Sequence, residues 1–137
     1  MTPEVQAFTS GFPLTLLHAG LTLVFLALGV VLYALLSPHK EIHLIREGNA
    51  AATISLAGVV LGLGMPLAAA LAASPSILEI VLWAAAVVFV DLIVFRVIDA
   101  LLAGLPQRMR EGDVPAAILL TAAKLSAALV LAAAVAG

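Results

Sequence analysis

ILEIVLWAAAVVFVDLIVFRVIDALL, residues 77–102, decides the fold. Apart from Glu79, Asp91, Arg96 and Asp99 it is wholly apolar, and it contains neither glycine nor proline. It exceeds the roughly 20 residues needed to cross a hydrocarbon core about 30 Å thick. Backbone polar groups in lipid must find partners within their own segment, so such a stretch is helical. Working outward, three more stretches read the same way: about Leu14–Leu36, Asn49–Ala73 and Val114–Ala136. Turn signals fall between them at Ser37-Pro38, Ser74-Pro75 and Gly104-Leu105-Pro106. The sequence therefore predicts an all-α polytopic membrane protein of four transmembrane helices, with residues 1–137 as a single membrane domain.

Composition agrees. Of 137 residues 64% are hydrophobic and 10% charged, against about 25% charged in a soluble domain. So few charges cannot cover a water-facing surface. A net charge of −2 gives no basic face for nucleic acid. The absence of cysteine excludes disulfides, thiol catalysis and Cys-ligated zinc. The residues before the first span include Glu4 but no lysine or arginine, which does not fit a signal peptide. The bilayer is the expected environment.

Basic residues set the expected orientation. Lys40 and Arg46 lie between spans one and two, and Arg108 and Arg110 between spans three and four. Positively charged loops remain cytoplasmic. Both termini are thus expected outside, in a multi-pass protein of the bacterial inner membrane.

Arg46-Glu47-Gly48-Asn49 recurs 64 positions later as Arg110-Glu111-Gly112-Asp113, each time just before an Ala-rich span. The chain reads as two tandem two-helix repeats, about 12–73 and 76–137. Asn49 and Asp113 are good helix N-caps, and the acids beside them suit a helix start. The same turns could instead form an anion or ligand site.

Ile45-Arg46-Glu47-Gly48-Asn49-Ala50-Ala51-Ala52, with Leu56-Ala57-Gly58 and Met65-Pro66-Leu67-Ala68, resembles domain-of-unknown-function family 350, small bacterial inner-membrane proteins of paired two-helix units. The second unit departs from the first, with Asp113 for Asn49 and Lys124 where unit one has Val60. The resemblance implies a bacterial membrane protein with four helices, and it implies no activity.

Function must then come from residues. Asp91 lies eleven residues from the end of span three, and Lys124 ten from the start of span four. At 1.5 Å per residue both sit roughly 15 Å deep, so a midplane Asp91–Lys124 pair is expected. Ionisable residues at that depth are costly and mark functional sites, although the same pair could simply register two helices. Arg96 and Asp99, three apart, are expected side by side near the interface. In span two, Gly58-x-x-x-Gly62 suits close helix packing. Gly62, Gly64 and Pro66 together fit either a broken helix able to shape a cavity or, more commonly, a tight packing face with a kink at Pro66. His18 shares a face of span one with Thr15 and Thr22. His39 and His43, with Glu41 and Glu47, could hold a divalent metal if helical, but the pattern is short and no metal or cofactor is assigned. No hydrolase elbow or phosphate loop occurs, and loops of about ten residues leave no room for a soluble active site, so the chain is not expected to be an enzyme.

Two functions follow. One is a small oligomeric ion or solute transport module using the Asp91/Lys124 site. The other is a non-catalytic structural or accessory subunit of a larger membrane complex. Small-residue faces lead us to expect a homo-oligomer or other membrane subunits as partners.

Overall fold

The computed structural model describes residues 2–137. Among them are six helices and no strand: α1 (Pro3–Leu36), α2 (Glu41–Arg46), α3 (Ala50–Ala73), α4 (Ile77–Leu101), α5 (Leu105–Arg110) and α6 (Val114–Ala136). Four of them, α1, α3, α4 and α6, are long and apolar enough to cross a membrane. Each of the four starts on a side-chain cap. Thr2, Asn49, Ser76 and Asp113 accept from the backbone N–H of Val5, Ala52, Glu79 and Ala116 respectively.

Four elements differ from the sequence reading. Helix α1 begins at Pro3, not near Leu14. Its extra turns are rich in hydroxyls that close on their own helix, Thr9 onto the Val5 carbonyl (2.7 Å) and Ser10 onto that of Gln6 (3.0 Å). Those bonds let polar residues extend a helix without outside partners. The two basic loops contain the one-and-a-half-turn helices α2 and α5, too short to show as periodicity. Helix α3 runs unbroken through Gly62, Gly64 and Pro66. The break is therefore absent. Pro66 withdraws only one donor and is buried, and the helix continues through it.

Helix α3 is the centre of the bundle. It lies most closely on α6 and also meets α1 and α4. Glycine permits that approach. A Cβ on Gly58 would stand 2.5 Å from Thr121 Cγ2 of α6, and one on Gly62 would stand 2.8 Å from Phe95 Cζ of α4. Gly64 faces open space instead. It lines an apolar groove between α1 and α3 with Thr22, Leu26 and Leu67. So the small-residue pair serves packing, as its spacing suggests, and Gly64 does not share in it.

The two Arg-Glu-Gly turns have the same backbone shape. Gly48 and Gly112 have φ of 87° and 90°, in the left-handed region that favours glycine. Asn49 and Asp113 follow with φ/ψ of −77°/104° and −74°/100°. The Asn49 N–H donates to the Leu44 carbonyl and the Asp113 N–H to the Arg108 carbonyl, each at 3.0 Å. The turns also touch, through Asn49 Nδ2 donating to the Arg110 carbonyl at 3.0 Å. Arg108 pairs with Asp113 at 2.7 Å. The first turn has no counterpart to that pair, because Leu44 and Asn49 stand at the equivalent positions, and its Glu47 carboxylate meets His43 at 3.1 Å. The turns thus act as helix starts.

Candidate functional site

Ser37 ends α1 and begins the site. Its backbone is extended, and its hydroxyl accepts from the His39 N–H at 3.2 Å. Lys40 then takes a left-handed conformation (φ 52°, ψ 48°). This corner reverses the chain and returns Glu41, the first residue of α2, to the side of α1. There the Tyr33 hydroxyl donates to Glu41 Oε1 at 2.5 Å, and both residues are buried.

From α6, Lys124 reaches the same place. It is 1% exposed. Its ammonium lies 2.9 Å from Asp99 Oδ1, at ion-pair distance though off the line of a hydrogen bond. It also donates to the Tyr33 hydroxyl at 3.5 Å. It sits 5.5 Å from the centroid of the Tyr33 ring and 5.8 Å from that of Phe95, with the two rings edge to face. Asp99 Oδ2 in turn meets His39 Nε2 at 3.3 Å. The result is a continuous line of five side chains, His39, Asp99, Lys124, Tyr33 and Glu41. It ties α4, α6, α1 and the first basic loop together inside an apolar bundle.

Lys124 does not pair with Asp91, contrary to the expectation from depth. Side chains lean toward the N-terminal end of their helix. Since α4 and α6 are antiparallel, Asp91 leans away from the basic loops and Lys124 toward them. Matched Cα depths therefore place the two functional groups apart. The long lysine stem carries its charge to the last turn of α4, so the charged site lies at the basic end rather than the midplane. Arg96 is likewise not beside Asp99 in any ion pair. Lys124 and His39 take up that carboxylate, and Arg96 is exposed.

Asp91 is 0% exposed, and neither carboxyl oxygen has a hydrogen-bond partner among the described residues. Buried polar groups without partners are rare and call for a reason. Glu41 Oε2 is also without one. Burial pushes the Glu41 carboxyl above its ordinary value of 4.5, an effect partly opposed by the Tyr33 hydrogen bond and the Lys124 charge.

A cavity of 330 Å³ opens beside the line at the basic end. His39 and Asp99 form part of its wall, with Arg96, Gln107 and Arg110 around it. His39 and His43 diverge, the first toward Asp99 and the second toward Glu47, and so do not form the metal pair that their spacing allows. His18 lies fifteen residues before Tyr33 on α1, about 22 Å along the helix, outside this group. Its carbonyl accepts from Thr22 at 2.9 Å.

Sequence reading thus singled out Lys124 and Asp99 but assigned them other partners. It missed Tyr33 and Phe95, which look like ordinary apolar-face residues of long helices. It weighed His39 and Glu41 only as members of a possible metal group in the first loop. The signal for Tyr33 and Glu41 was present in their eight-residue spacing around Ser37-Pro38, a corner short enough to fold one onto the other.

Among known proteins, the UPF0719 inner membrane protein YjfL of Escherichia coli strain K12 is 26% identical over 95 residues, covering 69% of this chain and 72% of that protein. YjfL of strain O157:H7 matches to the same extent. No solved structure matches. A family model described as Domain of Unknown Function (DUF350) matches residues 7–135, nearly the whole chain, and the protein belongs to that family.

Proposed function

We propose that this integral membrane protein is a small ion-transport module rather than an enzyme, and that the line from His39 to Glu41 is its ion-handling site. One observation carries this reading: five titratable or hydroxyl groups stand in successive contact within a largely apolar bundle, and a cavity opens at one end of them. Chains of this kind are what proton and cation relays through membranes are built from. Asp91, buried and without a partner, is the next acceptor farther along α4. The name of the YjfL relatives supports an inner-membrane location. With the basic loops cytoplasmic, the cavity faces the cytoplasm and both termini face outside. Four spans enclose little volume, so the working unit is expected to hold more than one copy or further membrane subunits. The test is proton and cation flux in liposomes containing the full chain, with Asp99→Asn and Asp91→Asn alongside. Flux that both variants reduce at least tenfold while remaining folded supports the proposal; no flux from well-folded wild type overturns it.

A second reading has its own support. The Lys124–Asp99 pair joins α6 to α4, and the Tyr33–Glu41 bond joins α1 to its following loop. Such links can fix helix register in a non-catalytic accessory subunit. That reading requires the absence of flux and a strong loss of assembly when either link is cut.

A further inference from the structure

Arg96 stands where two surface concavities meet. The polar cavity at the basic end is lined by Arg96, Ala100, Gln107 and Arg110. A second groove, of 460 Å³ and almost wholly apolar, runs from the same Arg96 and Ala100 along α4 past Val97, Ile93 and Phe89, with Leu36 of α1 as its far wall. All four of those apolar residues are exposed on the lipid-facing surface.

The charges are asymmetric. Asp99 is the acid in the polar cavity, and it is already engaged by Lys124 and His39. Arg96 makes no ion pair among the described residues, and the Arg110 guanidinium hydrogen-bonds there only to the neutral Gln107 side chain. Two guanidinium groups are therefore left to face whatever fills the cavity. The last turn and a half of α4, a short loop and helix α5 separate them in sequence, and both line the cavity near the end of the span where headgroups are found. A ligand matching both concavities needs an anionic head and a long apolar tail.

We propose that this composite groove binds an anionic phospholipid, with its phosphate between Arg96 and Arg110 and one acyl chain along Phe89, Ile93 and Val97. Planar guanidinium forks suit phosphate oxygens. Basic pockets at the membrane surface select anionic headgroups. The inference shares the polar cavity with the proposed ion site, but it does not rest on transport, since it is read by lipid binding alone.

Native mass spectrometry of the full chain in detergent tests it, with phosphatidylglycerol and phosphatidylethanolamine of identical acyl chains as probes. Phosphatidylglycerol should be retained in preference, and Arg96→Gln and Arg110→Gln should each weaken its retention roughly fivefold. Arg96→Lys should keep most of the preference. Ala100→Trp, which fills the junction of the two concavities from an exposed position, should abolish it. Circular dichroism of each variant confirms that the helices remain. Equal retention of the two lipids, or an Arg96→Gln protein that binds phosphatidylglycerol as wild type does, overturns the proposal. Displacement of the lipid by millimolar inorganic phosphate also overturns it, since the site would then take a small anion and the apolar groove would contribute nothing.

Discussion

Lys124 shows how far one side chain can move a site. Its Cα is ten residues into α6, yet its ammonium pairs with Asp99, two residues before α4 ends. Depth was legible in the sequence; the direction of lean was not used, and it decides the partner. Breaking a buried ion pair on one side leaves the other charge stranded, at a cost of about 3–5 kcal/mol. Lys124→Met and Asp99→Asn should each lower the unfolding midpoint in detergent strongly, and the double variant should recover much of the loss; additive losses would show that the two groups do not interact. Glu41 gives a pH-dependent counterpart. Its folded-state affinity for protons is raised, so its contribution to stability is fully present below the unfolded value of 4.5 and declines as pH rises through the folded one. Glu41→Gln should therefore flatten that part of the stability profile. The difference between variant and wild type should grow as pH increases; a constant difference would contradict the assignment.

At the level of elements, hydropathy located all four spans, because roughly 20 apolar residues in a row have few alternatives. What it missed were features set by local geometry. Thr9 and Ser10 extend α1 by bonding to their own helix, and α2 and α5 are too short to carry a period. Pro66 allowed either a break or a kink, and α3 runs unbroken through it. Glycine spacing was informative only in part: Gly58 and Gly62 meet α6 and α4, and Gly64 meets nothing within 4 Å. Gly58→Ala forces a Cβ against Thr121 and should cost about 1–3 kcal/mol. Thr121→Ser removes the opposing methyl and should restore most of that loss in the double variant. Gly64→Ala, free of any clash, should be neutral or stabilise by up to about 1 kcal/mol through improved helix propensity. Thermal unfolding of the four variants in one detergent checks the set.

For the molecule as a whole, the family and the membrane-spanning class followed from composition and from the Arg-Glu-Gly-Asn stretch, whereas the ionisable line depends on three helices meeting and left no linear trace. One dimension of the bundle bears on how that line behaves. Helix α1 has 34 residues, about 51 Å of helix, whereas the apolar interior of a bilayer is about 30 Å thick. The surplus must emerge at the end far from the basic loops, or the helix must incline. Phe8 and Phe12, stacked at 5.1 Å and exposed, supply aromatic anchors at that end. A helix that continues through Pro13, is held there and carries Tyr33 near its other end links the two ends. When the membrane thins, the helix inclines further, and Tyr33 swings relative to Glu41 and Lys124. Ion flux, where it occurs, should then depend on acyl-chain length in vesicles otherwise alike, and Phe8→Ala/Phe12→Ala should blunt that dependence. The protein would thereby read the thickness of the membrane around it.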